Sequence, residues 1–265
     1  MQDLPKVIRR RILDMIFKAK SGHVASSFSI VEILLSLFFG ILRVDPSNPD
    51  DPDRDRFILS KGHGCAALYA VLAERGFFPA DKLETFCQMG SILGGHPERG
   101  KVPGIEASTG SLGHGLSIGA GIALGGKRDS MSYRTFVLMG DGECDEGSVW
   151  EAALFAAQHR LDNLTVIIDY NRFQASGRVD EIISLEPLAK KWEAFGWATF
   201  EANGHDEGTL SQILSGSPCQ NGRPSVVIAH TIKGKGVSFI EHNRAWHTKI
   251  PNGKEFIQAQ EELNA

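Results

Sequence analysis

Residues 135–147 read TFVLMGDGECDEG, and the whole fold turns on how this stretch is taken. The apolar run Thr135-Phe136-Val137-Leu138 is short enough for a buried strand, and it breaks at once into a turn of glycines and carboxylates around Gly140-Asp141-Gly142. Such a turn resists burial unless something positive sits against it. The pattern recurs. Apolar runs at Leu164 to Ile168 and Ser225 to Ala229 follow, with helical segments at Val149 to His159 and Leu185 to Phe195 between them, and Arg56 to Leu59 forms an earlier short strand. Strand, helix and strand in repetition predict an α/β fold, a mostly parallel sheet with helices on both faces. Polar clusters at 60–64, 140–147, 169–173 and 230–236 each come straight after a strand, so the fold gathers them along the carboxyl edge, where ligands of open parallel sheets bind.

Outward from that centre, Leu4, Val7, Ile8, Ile12, Met15 and Ile16 recur at helical spacing. Ile30 to Leu42 predicts a second, nearly all-apolar helix, interrupted by Glu32, Ser36 and Gly40 and too short to span a bilayer. Asp45 to Asp55, with five aspartates and three prolines, is a loop. Helices are also expected around 66–75 and 116–124, and Lys254 to Leu263 suits a final one; residues 1–250 form one domain and 251–265 a C-terminal tail or helix. A formal charge of -4 and no basic run argue against nucleic acid and anionic membrane as partners. Cys65, Cys87, Cys144 and Cys219 lie far apart without CxxC pairing, which fits reduced thiols in a cytoplasmic protein better than a zinc ribbon or a disulfide frame. The near P-loop at Gly121 to Lys127 has Arg128 where a hydroxyl is required, and its glycines trail a helical segment instead of a strand.

The acidic turn has two readings. It is either an exposed turn that caps a helix or half of a cation site. Asp141 and Asn171, 30 positions apart at the ends of two neighbouring strands, supply two oxygens of the kind Mg²⁺ takes when its remaining ligands are phosphate and water. Gly140 and Gly142 let a diphosphate approach the backbone, and a helix starting near Ser148 turns its positive end the same way.

GDG, 28 residues and then Asn, with a helix and a strand between, resembles the thiamine diphosphate motif, and the surroundings resemble transketolase. SGHVASS (Ser21 to Ser27), RDRFILSKGHG (Arg54 to Gly64), LGGHPE (Leu93 to Glu98), ASTGSLGHGLSIGAG (Ala107 to Gly121), GDGECDEGSVWEA (Gly140 to Ala152) and KGKGVSFIEHNRAWH (Lys233 to His247) occur in the family's order. The resemblance extends from Leu4 to His247 and is greatest to the separately encoded N-terminal subunit of split transketolases.

That resemblance implies a thiamine diphosphate-binding fold and a site. Asp141, Asn171 and the main-chain carbonyl of Phe173 would hold Mg²⁺, or another divalent ion such as Ca²⁺ or Mn²⁺. Gly142, His63 and His247 would contact the diphosphate, Gly110, Ser111 and Leu112 would lie beside the aminopyrimidine ring, and Glu146 would be a subunit-contact carboxylate near the cofactor. His23, His96 and His247 would line the channel to the thiazolium carbon and move protons during ketol transfer between sugar phosphates. The glutamate that activates the aminopyrimidine belongs, in the family, to a pyrimidine-binding domain for which this chain shows no second sheet unit. A C-terminal transketolase subunit carrying it is therefore the implied partner, in an α2β2 assembly. Val24-Ala25 replaces the family's Pro-Gly after the first histidine, and His114 stands where Gln is common. An α subunit of a 2-oxo acid dehydrogenase, a deoxyxylulose phosphate synthase fragment and a non-catalytic paralogue are the alternatives.

Overall fold

A computed structural model describes residues 3–216 and 222–265. The chain opens with helices α1 (Leu4–Ala19), α2 (Val24–Phe28) and α3 (Val31–Ser36), then strand β1 (Arg56–Leu59) and helix α4 (Cys65–Arg75). Next come α5 (His114–Arg128), β2 (Thr135–Gly140), α6 (Gly147–Gln158) and β3 (Leu164–Tyr170). The last part holds α7 (Val179–Ile182), α8 (Leu188–Ala194), β4 (Ala198–Asn203), α9 (Glu207–Ser215), β5 (Ser225–His230) and α10 (Gly253–Asn264).

The five strands form one parallel sheet in the order β1-β2-β3-β5-β4. Because side chains alternate across a strand, each apolar run feeds two cores. Phe57, Phe136, Leu138, Ile167 and Val227 meet residues of α1, α3, α4, α9 and α10 on one face. Ile58, Val137, Met139, Val166 and Ile228 meet residues of α5, α6 and α8 on the other, where Trp192 and Trp197 pack edge to face at 4.9 Å. Covering both faces explains why these strands read as continuous apolar runs without polar alternation. Register brings the strand ends level: Gly140 pairs with Asp169, and Tyr170 with His230. The polar clusters of the sequence therefore share one edge.

Three departures from the sequence reading have local causes. β4 is an edge strand of which only Ala198 and Ala202 are buried, so it lacks the bulky apolar alternation that reveals a strand. The helix expected from Leu185 begins only at Leu188, after Pro187, whose ring disfavours helical geometry in the residue before it. The 30–42 helix divides into α3 and a wide π turn at Leu37–Ile41 that leaves Phe39 and Gly40 exposed. Glu32, within α3, is buried rather than turned to water. It pairs with Arg9 at 2.7 Å and accepts from His205 Nδ1 at 2.9 Å. Gly121, Gly125 and Gly126 lie inside α5, so the near P-loop is a helix.

The C-terminal helix α10 starts with a full capping box at Asn252 and Glu255, and stacks Phe256 on Phe17 of α1 at 4.1 Å. Cys65, Cys87 and Cys144 are free thiols, while Cys219 lies outside the described residues. Among the described residues, no helix is long and apolar enough to cross a membrane.

Candidate active site

The end of β2 delivers Asp141 to a position only 2% exposed. Its Oδ1 accepts from Gly142 N–H at 2.8 Å and its Oδ2 from Arg172 N–H. Burial, and then the neighbouring charge of Asp169, push its pKa up to about 7. A carboxylate so placed is expensive to ionise unless a cation arrives. Asp169, itself fully buried, cannot share its own cation. It accepts from Lys61 and Thr231, and from Ser29 at 2.8 Å, so that its pKa stays low despite burial. It also accepts from Asn171 Nδ2 at 2.9 Å, which leaves the amide oxygen of Asn171 facing away, where it takes Phe173 N–H at 3.0 Å.

One carboxylate, one amide oxygen and the carbonyl of Phe173 are hard donors, and they suit a divalent cation that completes its shell with phosphate and water. Among the described residues no group of three or more His, Cys, Asp or Glu is arranged to hold a metal. A cation at Asp141 thus depends on amide and carbonyl oxygens and on a ligand of its own.

These groups border a cavity of about 260 Å³. Its walls include Asp141, Gly142, Asn171, Phe173, Gly110 and Leu112, and the imidazoles of His23, His63, His96 and His247. The rings of His23, His63 and His247 form a triangle with centroids 5.3, 5.3 and 5.5 Å apart. Burial, reinforced by His96, Lys233 and Lys61, lowers His23 to about 4; burial with Lys233 and His23 lowers His247 to about 3. Burial and Lys61 hold His63 well below the usual imidazole range. All three are neutral near pH 7, able to donate from one nitrogen and accept at the other. Gly110 has φ +142, and a Cβ there would fall 2.8 Å from His96 Cδ2, so this loop reaches the cavity only as glycine.

Ser111 and Glu146 are exposed and do not line the cavity. α6 begins at Gly147, one residue before the start expected near Ser148, but not directly after Asp141. A short 3₁₀ turn at Gly142–Asp145 and the extended Glu146 intervene, because Cys144 N–H closes on Asp141 O at 2.9 Å. Val24 and Ala25 lie buried at the start of α2, and Ala25 O accepts Gly234 N–H at 3.0 Å, which ties the His23 segment to the KGKG loop.

Two residues that the sequence reading did not single out dominate the charge. Lys61 and Lys233 are each 1% exposed. Lys61 Nζ meets Asp169 and donates to Ser26 O at 3.0 Å. Lys233 Nζ donates to Phe173 O at 3.1 Å and lies 2.9 Å from His247 Nδ1, and burial, then Lys61, lowers its pKa to about 8. Each lysine follows a predicted strand by no more than a few residues, the one available signal, since a lysine is ordinarily exposed. Two buried ammoniums beside an unpaired carboxylate fit an anion and a cation arriving together.

Larger clefts, of about 480 and 510 Å³, open at the ends of β3, β4 and β5 around Tyr170, Arg172 and His230. The smaller cavity holds the convergent chemistry. Its size lies below the ~300–1,000 Å³ of complete small-molecule sites.

Comparison with known proteins identifies the family. Residues 1–263 match the family described as transketolase, thiamine diphosphate binding domain. The chain is 47% identical over 261 residues to a subunit of the apulose-4-phosphate transketolase of Actinobacillus succinogenes, covering 97% of this chain and 94% of that one. It is 44% identical over 247 residues to the 6-deoxy-6-sulfo-D-fructose transketolase subunit of Clostridium sp. strain MSTE9, covering 93% and 90%. The solved transketolase of Leishmania mexicana superposes with a TM-score of 0.92 at 29% identity over 98% of this chain and 41% of that one. The chain thus spans about two fifths of that longer transketolase but nearly all of each of the two matched subunits. The parallel sheet, the glycine-flanked cavity and these matches together show that the chain belongs to the transketolase family, as its thiamine diphosphate-binding domain.

Proposed function

We propose that the chain is the diphosphate-binding subunit of a heteromeric transketolase that moves a two-carbon ketol unit from a ketose donor to an aldose acceptor. One observation carries the reading: Asp141, Asn171 and the Phe173 carbonyl converge beside the buried Lys61 and Lys233. In this reading Asp141, Asn171 and Phe173 hold Mg²⁺ or a similar ion, whose charge offsets that of the diphosphate. His63 and Lys233 line the same cavity and would contact the phosphates, with Gly142 letting them approach the backbone. Gly110 and Leu112 form a wall for the ring system, with Ser111 and Glu146 at the rim toward a partner. When bound, thiamine diphosphate supplies the electron sink for breaking and making the carbon–carbon bond.

The chain's own contribution is orientation and proton handling. His23, His96 and His247 line the cavity, where their ring nitrogens would donate hydrogen bonds to, or accept them from, sugar hydroxyls. The cavity encloses only part of a cofactor-sized ligand, so a companion subunit closes it and supplies the activating carboxylate. An α2β2 assembly in the cytoplasm completes the proposal. The relatives act on a phosphorylated and a sulfonated sugar, which favours ketoses with an anionic terminus as substrates.

The test is reconstitution. The chain, its companion, and the mixture with Mg²⁺ and thiamine diphosphate are assayed on phosphorylated and sulfonated ketose donors. Transfer by the mixture alone is expected; full transfer by the isolated chain, or none by any mixture, overturns the proposal.

A further inference from the structure

Glu143 is one of two acids of the 140–147 turn, with Asp145, that the proposed function leaves unused. It is 2% exposed, and both of its oxygens are engaged. Oε1 accepts from Gly113 N–H at 2.8 Å and from the Ser60 hydroxyl, and Oε2 accepts from Gly140 N–H at 3.2 Å. These donors belong to three separate segments. Ser60 follows β1 and opens the turn to Lys61 and His63, Gly140 ends β2 beside Asp141, and Gly113 closes the loop 110–112 ahead of α5.

That loop is anchored at both ends, and between them His114 Nδ1 lies 3.0 Å from Leu112 O and 3.4 Å from Ser111 Oγ. Thr109 Oγ1 donates to Leu59 O at 2.7 Å, and Thr109 N–H to Pro97 O at 3.2 Å. At the far end Gly113 N–H goes to Glu143, and Gly113 O accepts from Ser148 Oγ at 3.0 Å. Between them, among the described residues, the N–H groups of Gly110, Ser111 and Leu112 donate to nothing in the chain. Packing adds to the constraint at Gly113, where φ is +80 and a Cβ would come within 2.5 Å of Ser148 Oγ. The diphosphate side has anchors of its own. Asp141 is held by the N–H groups of Gly142 and Arg172, and Asn171 by Asp169.

We infer that Glu143 is a positioning residue that sets the distance between the loop 110–112 and the Asp141 turn, so that a ring-bearing diphosphate is held more tightly than diphosphate alone. This rests on the cofactor assignment above. Glu143→Ala leaves three donors, two of them buried, without a partner, whereas Glu143→Gln keeps an oxygen for Gly113 and Ser60 but sets an NH₂ against Gly140 N–H. With only the Ser148 and His114 contacts left at that end, the loop shifts while the Asp141 turn, held by the N–H groups of Gly142 and Arg172, stays.

The test uses the chain assembled with its companion subunit, titrated calorimetrically with Mg²⁺ plus thiamine diphosphate or Mg²⁺ plus inorganic pyrophosphate. Glu143→Ala is expected to weaken thiamine diphosphate ~100-fold and pyrophosphate less than ~3-fold, with Glu143→Gln near ~10-fold on the former. Should Glu143→Ala fail to fold, Glu143→Gln carries the comparison. Equal losses on both ligands mean a general structural role and overturn the inference, as does no loss on either. A wild-type pair that binds pyrophosphate but gains nothing from the thiamine portion overturns the cofactor assignment instead, and the inference with it.

Discussion

Asp55 at one edge of the sheet and Asp141 at the other are both buried, and the structure treats them in opposite ways. At the amino edge Asp55 precedes β1 and is saturated: Arg43 reaches Oδ1 at 2.9 Å and Arg134 reaches Oδ2 at 2.7 Å, with the N–H groups of both residues also donating. Although burial raises its pKa, those hydrogen bonds hold it below the ordinary value. At the carboxyl edge Asp141 has main-chain donors alone and titrates near 7. A buried carboxylate that brings its own cations is a clasp between segments. One that lacks them is a site waiting for a ligand.

The largest expected effect breaks the second half of that contrast. Asp141→Ala should lower ketol transfer in the reconstituted enzyme by about a thousandfold or more, roughly 4 kcal/mol of lost transition-state stabilisation, and abolish Mg²⁺-dependent cofactor binding. The cofactor-free variant should unfold in urea no earlier than wild type, because a buried carboxylate with no paired cation has been removed. A marked loss of stability would make Asp141 a clasp after all. Asp55→Ala should do the reverse. It leaves two arginines without their partner and should cost about 3–4 kcal/mol in urea unfolding while cofactor affinity in the surviving folded fraction is unchanged.

A second clasp sharpens the comparison through pH. Burial raises the pKa of Glu32, but the hydrogen bond from His205 and the charge and hydrogen bond of Arg9 bring it down to about 2 from an ordinary 4.5. The folded-state pKa is depressed, so its stabilisation is complete above about 4.5 and is lost as pH falls toward 2. Wild type should lose about 3 kcal/mol across that window, and Glu32→Gln should lack that part of the slope in denaturation curves at stepped pH. The smallest effect concerns the anion side. Lys233→Met should weaken diphosphate binding by about 10- to 30-fold, with the loss shrinking at high salt only as far as a buried contact allows. An unchanged affinity would remove Lys233 from the site.

Much of the architecture was legible because it is written in local patterns. The apolar runs at 135–139, 164–168 and 225–229 coincide with β2, β3 and β5 to within two residues, and polar clusters follow them. β4 was not legible, since an edge strand of small and polar residues carries no such signal. In the site, the glycine-flanked motifs announced Asp141, Asn171 and the histidines, and the fold brings His23, His63 and His247 together, the last from more than a hundred residues away. Lys61 and Lys233 were passed over because a lysine's burial is visible only once its partners are, and Asp169 lies 108 residues from Lys61.

By itself, then, the order of residues determined the class of fold and the edge on which chemistry gathers, because strand period and turn composition act over a few residues. Only the tertiary structure decided which charges are paired. Asp55, Asp169 and Asp141 are the same residue type at strand ends or starts, and each becomes a clasp or an open ligand according to which distant cation the packing brings within hydrogen-bonding reach, a distance no local pattern encodes.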